Sequence, residues 1–160
     1  MKPTAELTVA RQAIAEISAR FPSLQMIEEP EAPVELSILM PVQPGLNHKV
    51  WLALQNNDEL HFSVGHFWLE WFPCTKPSRV AEYIAAVIGF LSGEYRVLEH
   101  YRGDRCVRAE LQAPSDSGWK TVGTWSNLLS FLPWRRSLRE VSNAQPIIPQ
   151  DLAHKAAQGR

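Results

Sequence analysis

Apolar residues along this chain recur with two different periods, and the points where the period changes mark out its elements. From Thr4 to Arg20, Leu7, Ala10, Ile14, Ile17 and Phe21 fall at steps of three and four, which predicts one helix with a single apolar stripe. Thr4 suits its N-cap, and Pro22 ends it. An acidic connection with Glu28, Glu29 and Glu31 runs to Pro33. There the period drops to two. Val34, Leu36, Ile38, Met40 and Val42 alternate with more polar neighbours, as a half-buried strand requires.

The next two runs predict each other. Val50, Leu52 and Leu54 alternate before Asn56-Asn57-Asp58; Leu60, Phe62 and Val64 alternate after it. Asparagine tolerates the left-handed conformation that such a loop needs. Pairing across the loop sets Leu54 against Leu60, Leu52 against Phe62 and Val50 against Val64, so all six share one face. The other face then pairs Gln55 with Glu59, Ala53 with His61 and Trp51 with Ser63.

At Gly65-His66 the parity reverses, and Phe67, Leu69 and Trp71 carry the apolar pattern onward. A β-bulge at Gly65 would absorb one residue and keep Glu59 to Phe72 a single strand. A second helix is expected from Thr75 to Ser92, with Pro77 in its first turn, Gly93 as its stop, and Val80, Ile84, Val87 and Leu91 as its core stripe beside Tyr83 and Ile88. A hairpin about Gly103-Asp104 follows, its register placing Glu99 opposite Arg108, then a strand from Trp119 to Trp125. Ser137 to Ser142 alternates weakly, as an added edge strand would.

These elements make an α+β domain of order α-β-β-β-α-β-β-β, with a twisted, mainly antiparallel sheet covered by helices on one face. Residues 1–145 are expected to form this one domain and 146–160 a flexible tail. In element order alone the chain is similar to small bacterial secretion chaperones, which hold partner peptides; no motif accompanies that likeness.

Composition alters this picture little. The 160 residues carry 45% hydrophobic and 21% charged side chains, the mixture of an ordinary globular protein. The net charge of −1 argues against nucleic acid as a partner, although residues 1–76 hold 5 basic against 9 acidic groups and residues 77–160 hold 11 against 8. Arg96, Arg102, Arg105 and Arg108 are interleaved with Glu94, Glu99, Asp104 and Glu110, which offset their charge. No apolar run approaches the roughly 20 residues that cross a bilayer, and charged residues interrupt the N-terminal helix, so no membrane association and a cytoplasmic location are expected.

Candidate chemistry concentrates on the non-core face of the Glu59–Phe72 segment. Trp51, His61, Ser63, His66, Trp68 and Glu70 combine aromatic bodies with polar tips, the usual lining of a small-molecule or peptide site. His61, His66 and Glu70 are the candidate catalytic groups, since a carboxylate can orient an imidazole for proton transfer. With His48, these residues match metal-ligand types, but no helical His-x-x-x-His or Cys-x-x-Cys spacing accompanies them; neither metal nor cofactor is expected. Cys74, near a helix start, and Cys106, in mid-strand, read as small buried hydrophobes rather than nucleophiles. Leu128 to Trp134 reads as core packing, with a docking patch for a second protomer as the alternative.

The expected function is therefore a non-catalytic binding domain. It would take a peptide, a partner protein or a second copy of itself, as a homodimer, on the Trp-rich sheet face. The alternative is a small-molecule enzyme, a hydrolase or isomerase, with His61, His66 and Glu70 as acid–base groups.

Overall fold

The computed structural model describes residues 4–131 and 135–143. The expected tail, 146–160, lies outside them. Helix α1 (Ala5–Arg20) is capped by Thr4, whose Oγ1 accepts from the Leu7 N–H at 3.2 Å. Strands β1 (Ile27–Glu28), β2 (Leu36–Met40), β3 (Val50–Gln55), β4 (Glu59–Val64) and β5 (Phe67–Trp71) follow in order, then α2 (Pro77–Leu91). Strands β6 (Arg96–Arg102), β7 (Arg105–Ser115) and β8 (Gly118–Ser126), a 3-10 turn over Leu128–Phe131 and β9 (Ser137–Ser142) complete the described chain.

The α+β class and the order of helices and strand blocks are those expected. The strands divide into two antiparallel sheets, one ordered β1-β2-β3-β4-β5 and the other β8-β7-β6-β9. The β3–β4 register is the expected one at all six pairs, and Asn56 and Asn57 hold φ of 52° and 72° in the loop between them.

Two expectations of register are corrected. Gly65 is not a bulge: Val64 pairs directly with Phe67, so Gly65 and His66 form a two-residue turn and the segment is a hairpin of two strands. A turn of even length also reverses parity, and parity was the only signal of the bulge. The second correction lies in the β6–β7 hairpin. Tyr101 pairs with Cys106 but His100 with Arg108, leaving Val107 as the extra residue of a real bulge. Glu99 therefore faces Ala109, not Arg108.

One hydrophobic cluster joins both helices to both sheets. Ala10, Ala13, Ile17 and Phe21 of α1 and its cap pack with Tyr83, Val87, Phe90 and Leu91 of α2 over Leu52, Leu54, Leu60 and Phe62. Val97, Ala109, Leu111 and Val141 of the second sheet join the same cluster. The sheets meet closely at Gly123, where an added Cβ would lie 2.8 Å from Leu69 Cδ2. On α2 the buried face runs through Tyr83, Ala86, Val87, Phe90 and Leu91, so Val80, Ile84 and Ile88 turn sideways and are only partly covered.

The segment after β8 also differs from expectation. Leu128 and Phe131 are 88% and 82% exposed, and only Ser130 of that turn is buried, so its described apolar side chains do not pack in the core. Residues 132–134 lie outside the described set.

Candidate functional site

Among the described residues three places hold chemistry. The first is the polar face of β2–β5, where the register makes two rows across the sheet: Ser37, Ala53, His61 and Glu70, and Leu39, Trp51, Ser63 and Trp68. His61, Ser63, Trp68 and Glu70 thus share the face assigned to them by alternation. His61 is 1% exposed. Its ring stacks on Trp68 at 5.2 Å between centroids and lies 6.3 Å from Trp51, while Nε2 sits 3.1 Å from Glu59 Oε2. Its Nδ1 is buried with no hydrogen-bond partner among the described residues. Trp51 donates its indole N–H to Ser37 Oγ at 2.8 Å, and Ser37 donates to Glu29. Much of this face is therefore spent on internal contacts; Trp68, 39% exposed, is its outward part.

The second place is the β4–β5 turn. His66 is not directed toward His61 or Glu70. Its backbone N–H donates to Glu99 Oε1 at 2.7 Å, and its ring Nδ1 lies 3.2 Å from the same oxygen. Tyr101 donates its hydroxyl to Glu99 Oε2 at 2.7 Å and lies 3.1 Å from His66 Nδ1. The β3–β4 ladder ends at Val50–Val64, so His48 is not set opposite His66.

Glu99 is 2% exposed. Burial works to raise its pKa, but the Tyr101 hydroxyl and the backbone N–H and ring of His66 outweigh it, leaving the carboxyl below its ordinary value. Burial and that same carboxylate push Tyr101 up to about 12. An ionised carboxylate only accepts, so Nδ1 of His66 donates into this cluster. Beside it opens a cavity of about 480 Å³ lined by His66, Tyr101, Asp104, Ser137, Leu138 and Arg139. An imidazole held by a carboxylate beside a polar cavity can accept and return a proton.

Glu99 and Tyr101 were not among the residues expected here. Alternation places Glu99 on a strand but does not report the bulge that governs its partner, and a contact between positions 66 and 99 leaves no local trace.

The third place is a groove of about 670 Å³ between α1 and α2. Val9, Val80, Ala81, Ile84, Ala85 and Ile88 give it an apolar floor; Glu16, Arg20 and Glu94 stand on its rim. Cys74, at its end, has its thiol pKa raised by burial and by the carboxylates of Asp58 and Glu6, the reverse of nucleophilic activation. Among the described residues no helix is long and apolar enough to cross a membrane. A scan against family models and searches of curated proteins and of solved structures returned no match.

Proposed function

We propose that this chain is a protein-interaction domain whose contact surface is the α1–α2 groove, and that its ligand is an amphipathic helix or apolar peptide of a partner protein. The observation that carries this reading is the second apolar stripe of α2. Val80, Ile84 and Ile88 recur every four residues beside the core face, and the groove over them is open. Such a trough takes a helix by its i, i+4, i+8 side chains. Glu16 is paired with Arg20 at 3.6 Å, so the rim charge that favours a basic flank on the partner is Glu94. The Trp face is the lesser candidate, because Trp51 and His61 are committed to neighbours. The acid–base alternative rests on His66 with Glu99, but Nε2 of His66 has no hydroxyl or thiol hydrogen-bonded to it among the described residues.

The test uses a helical model peptide of leucine and lysine, labelled with a fluorophore and titrated with the full chain. Ala81 and Ala85 are exposed on the groove floor, so Ala81→Arg and Ala85→Arg fill it without touching the core. Each should weaken binding by about tenfold or more, a change of about 1.4 kcal/mol. Binding that survives both variants but is lost in Trp68→Ala would move the surface to the sheet and sink the groove reading.

A further inference from the structure

The turn cluster holds more than a hydrogen-bonded carboxylate. Cys106 is buried on β7, directly paired with Tyr101 on β6. Its Sγ, one ring nitrogen of His66 and one carboxylate oxygen of Glu99 are three donor atoms that all lie within 4.8 Å of one another. In a tetrahedral zinc site, with bonds of about 2.0 Å to nitrogen or oxygen and about 2.3 Å to sulfur, donor pairs stand roughly 3.3–3.7 Å apart. His66 Nδ1 and Glu99 Oε1, now joined by a hydrogen bond at 3.2 Å, stand just inside that spacing. Glu99 and Cys106 are held by adjacent, paired strands, whereas the His66 ring is 56% exposed on its turn and can rotate to close the remaining distance.

We propose that His66, Glu99 and Cys106 form a zinc site whose fourth position faces the cavity lined by Tyr101, Ser137 and Arg139. The donor set selects the metal. A thiolate and an imidazole with one carboxylate suit Zn²⁺, while Mg²⁺ and Ca²⁺ want oxygen throughout. Binding exchanges protons in a defined way. Cys106 gives up its S–H hydrogen, now directed to the Arg108 carbonyl at 3.3 Å, and one proton leaves to solvent. Coordination through Nδ1 requires the His66 ring hydrogen to sit on Nε2. Glu99 is already ionised. One thiolate and one carboxylate then balance the dication, so Arg139, stacked over the Tyr101 ring at 4.6 Å, meets a site with no net charge. Three protein ligands and one open position facing a polar cavity is the form of a site that binds a further ligand or water on the metal.

The experiment uses the reduced, metal-free full chain with zinc and cobalt ions as probes. Zinc should bind with one equivalent in competition with a chromophoric chelator, releasing about one proton per metal in weak buffer. Cobalt should give a thiolate-to-metal charge-transfer band in the near ultraviolet and the visible bands of a four-coordinate ion. Cys106→Ser should abolish the charge-transfer band. His66→Gln, on the exposed turn and so least disturbing to the fold, should weaken zinc binding by at least about tenfold. Cys74→Ser should change neither. No charge-transfer band in the folded parent chain, a band that follows Cys74, or zinc binding indifferent to His66→Gln would each overturn the site.

Discussion

At the β4–β5 turn two demands fall on Gly65. Its φ of +57° is one that a side chain resists, and an added Cβ would lie 2.5 Å from Glu99 Oε1. Gly103, in the β6–β7 hairpin, has a similar φ of +54° but nothing within 4 Å of the added carbon. The pair separates backbone strain from contact. Gly103→Ala should cost about 1 kcal/mol, the left-handed penalty alone. Gly65→Ala should cost that and more, roughly 2–3 kcal/mol, because the carboxylate holding His66 and Tyr101 must also move. Urea unfolding of both variants measures the difference; equal costs would mean that Glu99 yields freely. None of this could be read from residue types. Gly65 is visible in the chain as a break in parity, but a bulge and a two-residue turn break parity identically, and only the pairing of Val64 with Phe67 separates them.

Among the elements, those with a strong local pattern were legible and those placed by distant contacts were not. The β3–β4 hairpin follows from six alternating residues and a loop rich in Asn, and every pair falls where alternation puts it. The first helix likewise follows from its stripe and cap. On α2 the apolar residues cover more than half the circumference, so composition alone does not choose which of two stripes is buried. Contact with Phe62 and Trp71 of the first sheet chooses Phe90 and Tyr83, with Val87 buried beside them, and the groove is what the other stripe leaves. The 3-10 turn shows the opposite case, an apolar run that stays outside. Leu128→Ser with Phe131→Ser should alter stability by less than about 0.5 kcal/mol, since both side chains are largely in water already. The same double variant should remove any self-association seen by sedimentation. A large fall in melting temperature would show that these side chains have a packing partner.

For the whole molecule, the contact between sheets governs how stability responds to pH. Glu99, below its ordinary 4.5 in the folded state, adds stability above that value and loses it as pH falls through its lowered folded pKa. Tyr101, raised to about 12, adds stability below its unfolded value of 10, and that share is lost between pH 10 and 12. Buried Tyr83 is raised further and adds to the alkaline loss. Glu28, lowered by its bond to Arg11, contributes little to the acid limb because that pair is half in water. Urea stability measured against pH should therefore be a plateau with two limbs. Glu99→Gln should flatten the acid limb, and Tyr101→Phe should shift part of the alkaline one. An acid limb unchanged in Glu99→Gln would place its origin elsewhere.

One feature of the second sheet bears on how the chain is made. Strand β6 lies between β7 and β9, yet β7 follows it at once while β9 is translated some time after β8. Through that interval the nascent sheet ends at β6, with one row of its peptide groups bare and Leu98 on the strand, the type of edge on which chains join one another. Asn143 then closes the arrangement, its side-chain amide reaching both the Gly45 and the Leu91 carbonyls at 2.8 Å. Released chains truncated before position 137 should thus need a holdase to stay apart, and chains that run on past 143 should not.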